Sequence, residues 1–171
     1  DCRIGVAPHS LRAVAPEAVA DLAALAPEGP VHMHLAEQVA EVEEVRAALG
    51  ARPVDWVLDH VGPDRRFTFI HCTQMEPGET ERLARSGAVA GLCPITESSL
   101  GDGIFDGVRW LGAGGQIAVG SDSNIRIALS EELRTLEYSQ RLRDRSRAVL
   151  ATPEQSPGRR LFEAVARGGA V

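Results

Sequence analysis

No run of apolar residues in this 171-residue chain approaches the ~20 needed to cross a bilayer, and no signal-peptide pattern opens it. Neither a membrane span nor a secretory route is indicated. Cysteine is scarce: Cys2, Cys72 and Cys93 are an odd number at unrelated spacings, which excludes a disulfide framework and a CxxC zinc or redox site. A reducing cytoplasm is the compartment that fits. Positive charge is also in deficit, since 18 Lys and Arg against 24 Asp and Glu leave a net charge of -6. That balance offers no electrostatic footprint for nucleic acid or an anionic membrane. Neither GxGxxG nor GxxxxGK[ST] occurs, so no nucleotide-phosphate loop is present. Low-complexity tracts, linkers and sequence repeats are absent too, which leaves one domain over residues 1–171.

The hydrophobic fraction of 44% and charged fraction of 25% are those of an ordinary globular chain, long enough to bury a core. Short apolar runs alternate with longer helical patterns. The runs Arg3–Ala7, Val31–Ala36, Phe67–His71, Ala88–Leu92 and Ile117–Gly120 read as strands. Helices are expected over Pro16–Ala26, Gln38–Leu49, Val54–Val61, Pro77–Ser86 and Ser130–Val149, and Gly50, Gly62 and Gly87 supply stops. This βα rhythm predicts a parallel α/β sheet. An open doubly wound sheet calls for a glycine-rich turn after its first strand, but that turn reads APHSLR, so the closed barrel is favoured. The chain begins at Asp1 directly before a strand and ends at Val171 just after an amphipathic segment, which reads as a piece of a longer barrel, truncated at both ends.

A barrel carries its chemistry at the carboxyl ends of its strands. Those ends hold His9 and Arg12, then His34 and Glu37, then His71, then Cys93, then Asp122. Any one of them alone is bland, but their recurrence at one structural level points to a site. Imidazole and carboxylate together suit Zn²⁺ or another first-row divalent ion, whose bound water becomes a hydroxide source near neutral pH. On that chemistry His34 and Asp122 are candidate ligands, with His71 a third ligand or an acid/base beside the metal, and Glu37 a proton carrier. The stretch VHMHLAEQ poses a further question, because His32 and His34 point to the same face of a strand.

The strings HLAEQ, FIHCTQM, GLCPITESSLGDGIFD and VGSDSN, in this order and spacing, resemble the second half of the amidohydrolase superfamily barrel. APHSLRAV and EELRTLEYSQRLRDRSRAVL, with the long third string, narrow the resemblance to the formimidoylglutamate deiminase family, from about Val6 to Arg147. The resemblance implies a partial TIM (β/α)8 barrel, strands 4 to 8 with their helices, strands 1 to 3 being missing. It also implies one divalent ion, most simply zinc, and hydrolysis of the formimino C=N of N-formimino-L-glutamate by a metal-activated hydroxide. The products are N-formyl-L-glutamate and ammonia, a step of histidine degradation. By position His34 and Asp122 would be metal ligands and Glu37 would protonate the imino nitrogen. His71 would orient hydroxide or substrate, and Asp122 would also accept the water's proton. His9 and Arg12 match positions that hold the substrate's carboxylates, a task to which a planar guanidinium is suited. The implied partner is a small dicarboxylate, and a homodimer is the assembly compatible with the full-length family. Within this scheme His32 lies one layer below His34, as a hydrogen-bonded filler.

The departures matter as well. Family members add a His-x-His metal pair at the end of barrel strand 1, which this chain lacks, and they carry a histidine after SDS where Asn124 stands here. The fragment alone is therefore expected to be inactive. Rival readings are a ring aminohydrolase or chlorohydrolase acting on a purine or triazine, for which Arg12 has no use, and a half-barrel without catalysis of its own. Blander roles also stand: Arg12 as a surface side chain, His9 as a turn cap, Cys72 and Cys93 as small core residues. His60 is given no chemistry, GDGIFDG is a turn leading into a helix, and RLRDRSR is a solvated helix face.

Overall fold

A computed structural model describes residues 2–170. Four short apolar runs form the sheet: β1 (Val31–Leu35), β2 (Phe67–His71), β3 (Val89–Leu92) and β4 (Gln116–Val119). They lie parallel in the order β1-β2-β3-β4, each paired with its sequence neighbour. The order never reverses, so no topological switch point of an open doubly wound sheet arises, and the sheet is an arc of the barrel type. The expected first strand, Arg3–Ala7, is reduced to a single bridge between Val6 and Val31. Residues 6 to 9 still run along β1, with His32 N donating to Val6 O at 3.0 Å and His34 N to His9 O at 2.9 Å. Pro8 has no N–H to contribute to a ladder, and beyond Val6 only isolated contacts remain.

Among the described residues are eight helices: α1 (Pro16–Ala24), α2 (Val39–Leu49), α3 (Pro53–His60), α4 (Pro77–Arg85), α5 (Pro94–Leu100), α6 (Gly107–Gly112), α7 (Leu129–Asp144) and α8 (Pro157–Gly168). Proline stands in the first turn of α1, α3, α4, α5 and α8, where its missing N–H costs nothing. Glu76 and Glu79 close a reciprocal capping box on α4. α7 stops short of the expected Val149. The Glu137 carboxylate accepts the N–H groups of Val149 and Leu150, both at 3.0 Å, and so folds the chain after Asp144 back along the helix. The RLRDRSR face is accordingly only partly solvated: Arg141 pairs with Glu137 at 2.6 Å and Arg143 with Asp106 at 3.2 Å.

Register assigns each side chain to a face. Val31, Met33 and Leu35 of β1 point away from His32 and His34 and join one core with Phe67, Phe69, Leu92, Ile117 and helix residues such as Val45, Val57, Leu83 and Leu161. The opposite, inner face carries His32, His34, Thr68, Ile70, Val89, Gly91, Gln116 and Ala118. A Cβ at Gly91 would stand 2.7 Å from Ile70 Cδ1, so a larger residue there would have to displace the tip of that side chain. His32 shares the face of His34 and is exposed in this four-stranded arc.

Candidate active site

At the carboxyl end of β1 the chain leaves extended geometry through Ala36, whose φ is 50°. The turn is held from α2. Glu41, buried, accepts the N–H of Ala36 at 2.9 Å through Oε1 and that of Glu37 at 2.7 Å through Oε2. Thr73 Oγ1 closes the other side by donating to Glu37 O at 2.5 Å. The result lifts the Glu37 side chain over the strand end.

His71 arrives by a different route. Its register partner is Leu35, whose side chain faces the helices, so plain alternation would send His71 into the core. A left-handed φ of 72° at His71, followed by 54° at Cys72, turns it to the site instead. There its ring stacks on His34 with centroids 5.7 Å apart, and His34 in turn lies 4.7 Å from the ring of His9. His71 Nε2 stands 3.6 Å from Glu37 Oε1, and His71 Nδ1 3.3 Å from Glu97 Oε1.

The electrostatics follow from this crowding. Burial, reinforced by the neighbouring Asp102 and Glu41 carboxylates, holds Glu37 above the ordinary carboxylate range, although His71 pulls it down. Burial pushes the His71 imidazole down, but Glu97, Glu37 and Asp122 outweigh it and leave a net rise. The Cys93 thiol is pushed up to about 12 by burial and by Glu97, Asp122 and Glu132, and the buried Cys72 is also raised well above the thiol range. Neither cysteine is a nucleophile at neutral pH.

The site residues expected from sequence thus divide. His9, His34, Glu37 and His71 come together, and Asp122, exposed and with φ 47°, lies close enough to act on His71 and Cys93. Arg12 does not face this group: it is exposed and its Nε pairs with Glu44 Oε2 of α2 at 2.7 Å. Three acids escaped the sequence reading. Glu41 carries no spacing signal, because the residue before α2 is Gln38 rather than a capping Ser or Thr. Glu97 sits in PITESSL, a stretch too short and polar to announce α5, yet its Oε1 accepts the Cys93 N–H at 2.7 Å. Asp102 is buried, takes Gln38 Nε2 on Oδ1 at 3.0 Å and leaves Oδ2 unpartnered.

Two features bear on a metal ion. His34 Nδ1 bonds His9 O at 2.8 Å, which fixes the ring and leaves Nε2 as a ligand nitrogen, the arrangement that metal-binding histidines adopt. With Asp122 it makes two donors of the kind a divalent ion takes, short of the usual three or four. Among the described residues His71, Cys93 and Glu97 also bring ligand atoms within 4.8 Å of one another. That group is already closed on itself by Glu97 Oε1, and its thiol is protonated, so it is a hydrogen-bond cluster rather than a metal cage.

A parallel arc with histidines and acids gathered at its strand ends defines a class of hydrolase site, and comparison places it. The amidohydrolase family model matches residues 2–163, and the chain belongs to that family. Formimidoylglutamate deiminase of Pseudomonas aeruginosa is 48% identical over 169 residues, 98% of this chain and 37% of that protein. A crystal structure of an amidohydrolase from Brucella melitensis superposes with a TM-score of 0.94 at 53% identity, covering 96% of this chain and 37% of that one. An adenosine deaminase from Xanthomonas campestris, crystallised with bound zinc, superposes with a TM-score of 0.86 at 26% identity, covering 97% and 38%. The chain therefore spans little more than a third of the length of these relatives.

Proposed function

We propose that the protein carrying this chain hydrolyses the formimino C=N of an N-formimino dicarboxylate, with N-formimino-L-glutamate as substrate and N-formyl-L-glutamate and ammonia as products. The observation that supports this reading best is the convergence of His34, Glu37 and His71 at adjoining strand ends, in a chain 48% identical to a formimidoylglutamate deiminase. His34 and Asp122 would hold one divalent ion together with donors from outside these 171 residues. When bound, that ion activates the attacking water.

The chain's own side chains account for the proton traffic. Water adds one oxygen to the formimino carbon, and its two protons must leave with the nitrogen as ammonia. Glu37, held towards its protonated form by burial, delivers a proton to the imino nitrogen. Asp122 accepts one from the water and passes it to the departing nitrogen, and the proton left on the added oxygen restores Glu37. His71 Nε2, 3.6 Å from Glu37, orients the oxygen between them. His9 and Arg12 take the substrate carboxylates, for which Arg12 must exchange Glu44 for substrate. That exchange is cheap, since the Arg12–Glu44 pair is exposed on both sides.

The pairing of Arg12 with Glu44 also favours a second reading, because a neutral purine or triazine ring would leave it in place. Ammonia release by the intact protein on formiminoglutamate, formiminoaspartate and guanine separates the two. Formiminoglutamate is expected to be turned over, and Arg12→Ala to raise KM at least tenfold, the loss of about one charged hydrogen bond. Turnover of the ring alone, or an unchanged KM in Arg12→Ala, would overturn the dicarboxylate assignment.

A further inference from the structure

We infer that Glu97 is the positioning residue of His71: its single oxygen Oε1 fixes both the ring plane and the tautomer, presenting an unprotonated Nε2 to the site. The claim deepens the reading of His71 given above and rests on it for the catalytic consequence, not for the geometry.

Glu97 is buried, and α5 returns its carboxylate onto the N–H of the capping residue that precedes it. Oε1 accepts Cys93 N at 2.7 Å, four residues back in the chain, so the acid is anchored before it touches anything else. The same atom meets His71 Nδ1 at 3.3 Å. A carboxylate that is ionised can only accept, so the nitrogen facing it must carry the proton. Neutral His71 then has its remaining lone pair on Nε2, which points to Glu37 Oε1 at 3.6 Å. From there Nε2 can accept a hydrogen bond from water or from a protonated Glu37.

The local backbone makes this anchor necessary. His71 holds a left-handed φ of 72° that departs from strand alternation, and Cys72 follows with 54°. An imidazole delivered by such a turn has no sheet neighbour to set its rotation, and His34 merely stacks on it. Glu97, rigid through its bond to Cys93, sets that rotation. The acid reaches His71 from the first turn of α5, the helix that follows the neighbouring strand β3, so it links the ends of two adjacent strands.

The test is nitrogen-15 NMR of the histidine rings in the intact metal-free protein, with His71 assigned by the signals lost in His71→Gln. Near neutral pH, the neutral ring of His71 is expected to carry its proton on Nδ1. Glu97→Gln keeps the shape and one acceptor oxygen but loses the charge that strengthens the bond. In the metal-loaded protein it is expected to lower kcat about tenfold, at the low end for loss of a histidine's orienting partner. KM should stay within about twofold, because Glu97 touches no substrate. A wild-type spectrum with the proton on Nε2 overturns the proposal, whether or not the variant folds. So does a Glu97→Gln protein whose kcat and His71 signals match wild type. Failure of deiminase activity with the Nδ1 tautomer intact would instead count against the substrate reading and leave the positioning role standing.

Discussion

Glu41 is the residue on which the geometry of Glu37 depends, and its removal gives a worked magnitude. Its carboxylate makes two bonds to backbone N–H, 2.9 Å to Ala36 and 2.7 Å to Glu37, from a side chain only 3% exposed. A hydrogen bond to a charged group contributes about 1.5–3 kcal/mol, so Glu41→Ala forfeits roughly 3–6 kcal/mol before relaxation. Glu37 lies at a half-open rim where water can replace part of the second bond, which brings the expected loss to about 3–4 kcal/mol. Relaxation of Ala36 offsets part of this, since a left-handed alanine costs about 1–2 kcal/mol, and leaves a net loss of roughly 2 kcal/mol. Relaxation of that turn moves Glu37 away from His71, so activity should fall further than stability. Urea unfolding of the intact protein reads the first effect through a lowered midpoint at unchanged slope. Native-state hydrogen exchange at the Ala36 and Glu37 amides reads the second. Glu41→Gln should lose about half as much, because one of its two polar atoms can still accept. A Glu41→Ala protein within about 1 kcal/mol of wild type, with both amides still protected, would refute this account of the turn.

Two further predictions concern other buried acids. Arg52 pairs with the buried Glu79 at 3.0 Å and donates to Gln74 O at 2.6 Å, so Arg52→Ala should cost about 3 kcal/mol by leaving Glu79 uncompensated. Arg52→Lys should recover only part of this in thermal unfolding, since an ammonium cannot reproduce the fork. Glu132, buried with Oε1 unpartnered and Oε2 on Ile95 N at 2.9 Å, is held above the ordinary carboxylate range chiefly by burial. Its folded state binds a proton more tightly than the unfolded chain does. The penalty is therefore absent below the unfolded pKa of about 4.3, and it grows as pH rises towards the folded value. Glu132→Gln should thus raise Tm at pH 7 and converge on wild type near pH 4. A gain that persists undiminished at pH 4 would show that charge burial is not its cause.

The sheet and the level of the site were legible because they rest on local chemistry. Apolar runs of four to six residues closed by glycine or a polar turn read as buried strands in a chain of this rhythm; β1 to β3 fall within the expected runs and β4 is displaced by one residue from Ile117–Gly120. HLAEQ and the histidine ending FTFIH could be placed at strand ends for the same reason. What escaped depends on partners distant in sequence. α5, absent from the expected helices, owes its existence to Pro94 in its first turn, to Glu97 folding back on Cys93 and to a left-handed Gly101. Arg12 looked free because nothing in APHSLR reveals Glu44 on a later helix. α7 was drawn too long because the Glu137 carboxylate that ends it competes through backbone atoms twelve and thirteen residues away.

The deeper reason the site lies where it does is conformational. Ala36, His71, Cys72 and Asp122 all have positive φ without being glycine, and all four stand at or just after strand ends. Such residues persist only where the surroundings over-determine them. Each turn here has its restraint: Glu41 on Ala36, Leu35 O and Ile70 O on Cys72 N at 3.1 Å, Ala36 O on Gln74 N at 2.8 Å, and Asp122 O on Asn124 N at 2.9 Å. Without these turns, alternation would bury His71 beside the helices opposite Leu35, and the inner rim would keep His34 without the His71 ring beside it. The hydrogen bonds from Glu41 and Glu97 thus do one job at two strand ends. They hold the backbone and the imidazole in conformations that an unrestrained strand would abandon, and the side chains of the candidate site converge as a consequence.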